Sequence, residues 1–305
     1  MIRIGVDFGG TKIEAAALSA DGAFAARVRR PTPGAYGASL EAVRELVAEV
    51  ERQTGVTGAT VGFGVPGSAS PRTGRMRNAN SVWLNGQPFQ ADLERVLGRP
   101  VRLENDANCF ALSEALCGAG QGAEVVFGAI LGTGCGGGVV VRGRTLEGVN
   151  KIGGEWGHTS LPWPTDSEHG AHTCWCGRGD CLETWISGTA FCRDYEAATA
   201  EKLTGDAIVE RARAGEAAAA AALDRYVDRL GRGLAVVCDL IDPDVIVLGG
   251  GMSNVAELYE RVPPIAARYA FSDVFETRIV KARHGDSSGV IGAAWLWPLD
   301  SPPGK

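Results

Sequence analysis

Three times along this chain a strand-like apolar run ends in a tight glycine turn. Gly9, Gly10 and Thr11 follow IRIGVD at residues 2–7, Gly132, Thr133 and Gly134 follow VVFGAIL at 125–131, and Gly249, Gly250 and Gly251 follow DVIVL at 244–248. Glycine has no Cβ, so its backbone can approach an anion closely, and the N–H groups of a tight turn can cradle a phosphate. One such turn is ordinary hairpin chemistry. Three of them shift the reading toward phosphate binding. Thr11 and Thr133 each add a hydroxyl donor. Asp7, just ahead of the first turn, would repel a phosphate directly, so it suits magnesium or the orientation of an attacking hydroxyl. The chain lacks G-x-x-x-x-G-K-[ST]. The G-x-G-x-x-G formed by Gly132, Gly134 and Gly137 runs into the strand-like VVVRG instead of a helix. Neither a P-loop ATPase nor a Rossmann dehydrogenase fits that context.

The elements between the turns read as α/β. Residues 2–7 and 13–18 form a first strand pair. Residues 38–53 place Leu40, Val43, Leu46, Val47 and Val50 on one helical face. A strand at 59–65, a short helix at 89–98 and a strand at 100–104 lead to Asn105 and Asp106, which open the helix NCFALSEAL. The pattern then restarts with a strand at 125–131, a glycine turn at 132–138 and a strand at 139–143, which suggests two related lobes. A loop-rich stretch over 144–188 precedes helices at 188–203, 206–214 and 216–241. The strand ending at Leu248 runs through the third glycine turn into a helix, and 289–298 starts a last helix with an aromatic stripe.

Composition narrows the partners. With 45% apolar and 22% charged residues, the 305-residue chain can build a sizeable core. A net charge of −6 and a pI near 5.4 disfavour nucleic acid as a partner; the short run Arg27, Arg29 and Arg30 reads as a solvated face. No apolar stretch reaches the roughly 18 residues of a membrane span. The first residues enter a strand directly, without signal-peptide features, so a cytoplasmic protein without disulfides is expected. Cys109, Cys117, Cys135, Cys192 and Cys238 then read as small buried hydrophobes.

Three polar groups could carry chemistry. Asn105, Asp106 and Asn108 stand at a helix start, where capping is the plain explanation; an ionised Asp106 could equally accept a proton from a substrate hydroxyl. Cys174, Cys176 and Cys181 lie within eight positions in CWCGRGDC. That spacing suits a structural zinc, which takes four tetrahedral ligands. The fourth ligand could be His158, His169 or His172, and proximity alone favours His172. GEWGH at 154–158 supplies Glu155 and His158, and Glu183 follows the cysteines. Such donors and acceptors in a glycine-rich loop suit sugar hydroxyls.

Together DFGGTK (7–12), GFGVPG (62–67), ENDAN (104–108), LGTGCGGG (131–138), GEWGH (154–158), CWCGRGDCLE (174–183) and DPDVIVLGGG (242–251) resemble the ROK family (repressor, open reading frame, kinase) of bacterial sugar kinases, over essentially the whole chain. The resemblance implies an actin-like ATPase (ribonuclease-H-like) α/β fold with two lobes around a central cleft. Residues 1–117 with 289–305 would form a small N-terminal lobe, and 118–288 a large lobe carrying the zinc-binding loop. It implies ATP with magnesium, a structural zinc and often a homodimer.

Position by position, Asp106 resembles the catalytic base, and Asn105, Glu155, His158 and Glu183 the sugar-binding residues. Gly9, Gly10, Thr11 and Lys12 resemble the first phosphate loop, and Gly132, Thr133 and Gly134 the second. Gly249, Gly250 and Gly251 resemble the stretch beside adenosine. In the family the fourth zinc ligand is the His of the GH pair, which makes it His158. The segment NANSVWLNGQPF (78–89), with Asn78, Asn80 and Trp83 at substrate-facing places, resembles fructokinases that also accept mannose. N-acetylglucosamine kinases of the family share the ENDANCFALSEA-like and ARHGDSSG-like stretches, so they and the glucokinases are the alternatives. A sugar-responsive repressor of the family carries a helix-turn-helix ahead of the first phosphate loop, for which the seven residues up to Asp7 leave no room. A non-catalytic sugar sensor would be expected to lack Asp7 or Asp106.

Overall fold

The computed structural model describes residues 2–298. Met1 and residues 299–305, which the sequence reading assigns to the N-terminal lobe, lie outside the described residues. The chain divides into two compact units. One comprises the described residues of Met1–Gly118, Gly138–Gly153 and Asp286–Lys305; the other is Ala119–Gly137 with Gly154–Gly285.

The first unit is built on a five-stranded sheet of order β3-β2-β1-β4-β7. Its strands are β1 (Arg3–Phe8), β2 (Lys12–Leu18), β3 (Phe24–Pro31), β4 (Thr60–Val65) and β7 (Val101–Asn105). The first three form an antiparallel meander, and β4 and β7 run parallel to β1. Two-residue strands β5 (Ser68–Ala69) and β6 (Met76–Arg77) pair with each other. Strand alternation sends side chains to both faces. Ile4, Val6, Phe8, Ile13, Ala15 and Ala17 join the core formed with α1 (Tyr36–Thr54) and α2 (Phe89–Leu97). Ala16 and Leu18 pack on the opposite side against Val290, Ile291 and Ala294 of α9 (Ser288–Trp295).

Glycines let α9 come that close. A methyl group at Gly5 would overlap the Val290 carbonyl, one at Gly62 the Ala293 carbonyl, and one at Gly292 the Cys109 carbonyl of α3 (Asp106–Cys117). The last helix is therefore wedged backbone-to-backbone between the sheet and α3. Arg27 and Arg29 of β3 do not form a merely solvated face: both reach the buried Glu14 on β2, while Arg30 pairs with Glu45 of α1. The arginine run neutralises carboxylates of its own unit.

The second sheet repeats the same strand order, β10-β9-β8-β11-β12, with β8 (Val125–Leu131), β9 (Cys135–Val141), β10 (Arg144–Thr145), β11 (Val245–Gly249) and β12 (Arg278–Lys281). Here too β11 runs parallel to β8, and β12 parallel to β11. The repeated order of a meander followed by two parallel strands is that of the actin-like ATPase fold. The turn between β8 and β9 is shorter than its glycine content suggests, because Gly136, Gly137 and Gly138 belong to the strand. Gly137 and Gly138 are glycines for space: a Cβ at Gly137 would lie 2.6 Å from the Trp156 ring, and one at Gly138 2.5 Å from the Ala107 carbonyl oxygen.

Helices α4 (Glu183–Ile186), α5 (Gly188–Thr199), α6 (Gly205–Arg213), α7 (Ala217–Ile241) and α8 (Glu257–Tyr269) complete the second unit. The long α7 is its spine. Arg229 and Arg232 of α7 are buried against Glu168 of the cysteine-rich loop, with N···O distances of 2.8 and 3.0 Å, and Arg229 also pairs with Asp194 of α5 at 2.8 Å. Burial alone would raise the Glu168 carboxyl, but hydrogen bonds from Arg232, Arg229 and the Thr165 N–H hold it down at about 2. Its stabilising contribution is therefore complete above the ordinary carboxylate range and is lost only as pH falls from there toward 2. Replacing Glu168 by Gln leaves two buried guanidinium groups short of charge. It should cost about 3–5 kcal/mol, read from the denaturant midpoint near neutral pH.

Candidate active site

In the first unit the first glycine turn joins β1 to β2. The Gly9 N–H donates to the Lys12 carbonyl at 3.0 Å, and the Thr32 hydroxyl donates to the Gly9 carbonyl at 2.7 Å. Thr11 is exposed, and Lys12 stands 3.9 Å from Asp286 in an exposed pair of little energetic weight. Asp7 lies on the α9 side of β1: a Cβ at Gly289 would be 3.0 Å from its carboxyl carbon. Burial, then the nearby charges of Asp106 and Glu14, push the Asp7 carboxyl up to about 7, against smaller opposing effects of Lys12 and Arg29. A divalent cation beside such a carboxylate would relieve the excess negative charge.

Asn105 caps α3, its side-chain oxygen accepting from the N–H groups of Ala107 and Asn108. Capping and chemistry thus fall to neighbours. Asn105 makes the cap and also donates through Nδ2 to the Gly67 carbonyl at 3.2 Å, while Asp106 is exposed on the first turn, its Oδ1 accepting from the Ala107 N–H at 2.8 Å. Behind them Glu104 is buried; desolvation raises its carboxyl, and it accepts from Asn108 Nδ2 at 3.0 Å and from the Asn105 N–H at 2.7 Å.

Asn78 and Asn80 are both exposed, and Asn78 has a left-handed backbone with φ 57°. The residue that shapes this segment is Asn85, which the sequence reading did not single out. Its side chain both accepts from the Ala79 N–H and donates to the Ala79 carbonyl, each at 2.9 Å, closing the loop around Asn80. The Asn-Gly pair at 85–86 is the turn signal that marks it. Trp83 is half-buried.

In the second unit the second and third glycine turns meet. A side chain on Gly250, whose φ is 78°, would strike the Leu131 carbonyl and, at 2.9 Å, the Gly132 nitrogen. Gly132 donates to the Gly134 carbonyl at 3.0 Å and accepts from the Gly188 N–H at 2.7 Å, while Thr133 is exposed at the tip. Gly249 ends β11, and Gly251 opens a short 3-10 helix.

His158 sits in a 3-10 turn just after the exposed Glu155. One ligand atom each from His158, Cys174, Cys176 and Cys181 lie within 4.8 Å of one another. His158 Nδ1 is 3.6 Å from Cys174 Sγ, and Cys176 Sγ is 3.6 Å from Cys181 Sγ. Sulfurs around one tetrahedral zinc stand about 3.8 Å apart, given Zn–S bonds near 2.3 Å, whereas a disulfide needs about 2.05 Å. The set fits a zinc ion. His172, the neighbour that sequence proximity favours, lies elsewhere, packed at 4.3 Å against Trp185, and His169 is exposed outside the cluster. Burial, then hydrogen bonds with Cys176 and Cys174, push the Cys181 thiol up to about 12. A cation at the centre would oppose that shift by stabilising the thiolates.

Glu183 opens α4. Its carboxylate accepts from the Cys135 N–H at 3.0 Å and from the Trp175 indole N–H at 2.7 Å. Of the scattered cysteines, Cys109, Cys135 and Cys238 are buried; Cys117 and Cys192 are partly so.

The fold of each unit and these motifs define a family. A model described as "ROK family" matches residues 3–299, and the chain belongs to the ROK family. The N-acetyl-D-glucosamine kinase of Pectobacterium atrosepticum (strain SCRI 1043) is 41% identical over 302 residues, covering 97% of this chain and 99% of that one. Among solved structures, the ROK hexokinase from Thermus thermophilus superposes with a TM-score of 0.86 at 35% identity, covering 97% of each chain. A ROK family glucokinase from Streptomyces griseus, in complex with glucose and AMPPNP, gives 0.79 at 29% identity, covering 97% of this chain and 99% of that one. Among the described residues no helix is long and apolar enough to cross a membrane.

Proposed function

We propose that this chain is an ATP-dependent sugar kinase that transfers the γ-phosphoryl group to the 6-hydroxyl of N-acetylglucosamine. The observation that carries the sugar assignment is the 41% identity, nearly end to end, with a kinase of that name. It moves the reading from fructose, which the sequence segment at 78–89 favoured, to the alternative. Fructose with mannose remains the second reading because that segment, pinned by Asn85, keeps its fructokinase-like pattern.

Phosphoryl transfer asks for alignment and charge neutralisation more than covalent chemistry. Asp106 accepts the proton of the attacking hydroxyl. Asn105, Glu155, His158 and Glu183 hold the sugar ring, with Asn78 and Asn80 toward the part that distinguishes one sugar from another. Gly9, Gly10, Thr11 and Lys12 with Gly132, Thr133 and Gly134 receive the phosphates, and Gly249, Gly250 and Gly251 flank adenosine. Asp7 would hold magnesium, directly or through water, and the ion would offset charge on the phosphates. His158, Cys174, Cys176 and Cys181 would hold a structural zinc that fixes the loop carrying Glu155.

An ATP-coupled assay with N-acetylglucosamine, fructose, mannose and glucose tests this. N-acetylglucosamine is expected to lead the others in kcat/KM by about tenfold or more. A lead for fructose would transfer the assignment to the second reading, and no turnover on any of the four would sink the kinase reading itself.

A further inference from the structure

The second glycine turn and the cysteine knuckle share one carboxylate. Glu183 Oε2 accepts from the Cys135 N–H, the first amide after Gly134, and Oε1 accepts from the Trp175 indole. Gly134 must be glycine for this approach, since a Cβ there would stand 2.6 Å from Oε2. Trp175 lies between two of the clustered cysteines and meets the His158 ring edge-on at 5.0 Å between centroids. Yet it is 67% exposed, so burial does little to fix it. A charge-assisted hydrogen bond and an aromatic contact with a residue of the cluster do so instead.

We propose that Trp175 is a positioning residue: through Glu183 it ties the cysteine knuckle to the Gly132–Cys135 main chain and so presets that turn for the nucleotide. The proposal rests on the kinase reading for what the turn binds. Any disturbance of the knuckle then reaches the turn through one carboxylate. The Gly188 N–H on the Gly132 carbonyl holds the turn's other end.

Trp175→Phe keeps the ring and removes the N–H donor. Amide hydrogen exchange in the peptide spanning 131–136 is expected to quicken about 3- to 10-fold, the scale of one lost hydrogen bond, while the first turn at 9–12 keeps its rate. The calorimetric Kd for ATP should rise by a similar factor, with bound metal unchanged. Unchanged exchange at 131–136 with unchanged ATP affinity overturns the proposal. So does equal weakening of ATP and sugar together with metal loss, which would make Trp175 a packing residue of the knuckle. Exchange and ATP binding need no turnover. A wild-type protein that binds ATP but phosphorylates no sugar would therefore refute the kinase reading and leave this inference standing.

Discussion

Asp106→Asn is expected to lower kcat by about 10²–10⁴ while leaving the fold and most of the sugar affinity in place. The substitution keeps size and a side-chain oxygen, so the Ala107 N–H retains a partner. Asn105, which makes the cap of α3, is untouched. What disappears is a carboxylate able to take a proton from the attacking hydroxyl. A coupled assay at saturating ATP and sugar, read beside a calorimetric sugar Kd, separates that loss from a binding defect. Near-normal turnover would remove Asp106 from the base role. The variant should also relieve Asp7, because the Asp106 charge is one of the causes holding the Asp7 carboxyl up.

Asp7→Asn should do the opposite to stability and activity. A carboxyl whose folded value stands near 7, against an ordinary 3.8, binds its proton more tightly in the native state than in the unfolded chain. Native stability therefore falls as pH rises from about 4 to 7 and stays reduced above that. The full cost above pH 7 is at most about 4 kcal/mol, at 1.36 kcal/mol per pKa unit. An amide carries no such cost. The variant is expected to melt several degrees higher than the wild type at pH 8, with the gain shrinking toward pH 4. Magnesium should narrow the gap by stabilising the ionised wild-type carboxylate. In the proposed mechanism its turnover collapses, because the magnesium-holding carboxylate is gone. A melting difference that does not depend on pH would show that Asp7 is not a strained carboxylate. A gain that grows as pH rises from about 4 to 7 would instead make the position an example of stability given up at a functional site.

Much of the fold was legible because it is local. The helical face of Leu40, Val43, Leu46, Val47 and Val50 is buried in α1, and the helix at Asp106 starts where Asn105 can cap it. Strands β1, β2, β4, β7, β8 and β11 fall within a residue or two of their expected places. The strand β3 was not legible, because its polar run of arginines is explained by Glu14 on the neighbouring strand and not by its own periodicity. Gly137 and Gly138 looked like turn residues for a related reason. Their small size answers Trp156 and Ala107, whose positions the sequence does not give.

By itself the sequence determined the glycine turns, the capped helix and the three-cysteine knuckle, each set by residues within a turn or two of one another, where backbone sterics and short hydrogen bonds decide. The tertiary structure alone decided that Glu183 would bridge Cys135 and Trp175, that α9 would press against Gly5 and Gly62, and that the His158 ring nitrogen would face the cysteines while His172 went to Trp185. Family resemblance could name His158, but spacing could not. Such meetings depend on which surfaces bury together, and burial is settled by the packing of whole elements far apart in the chain.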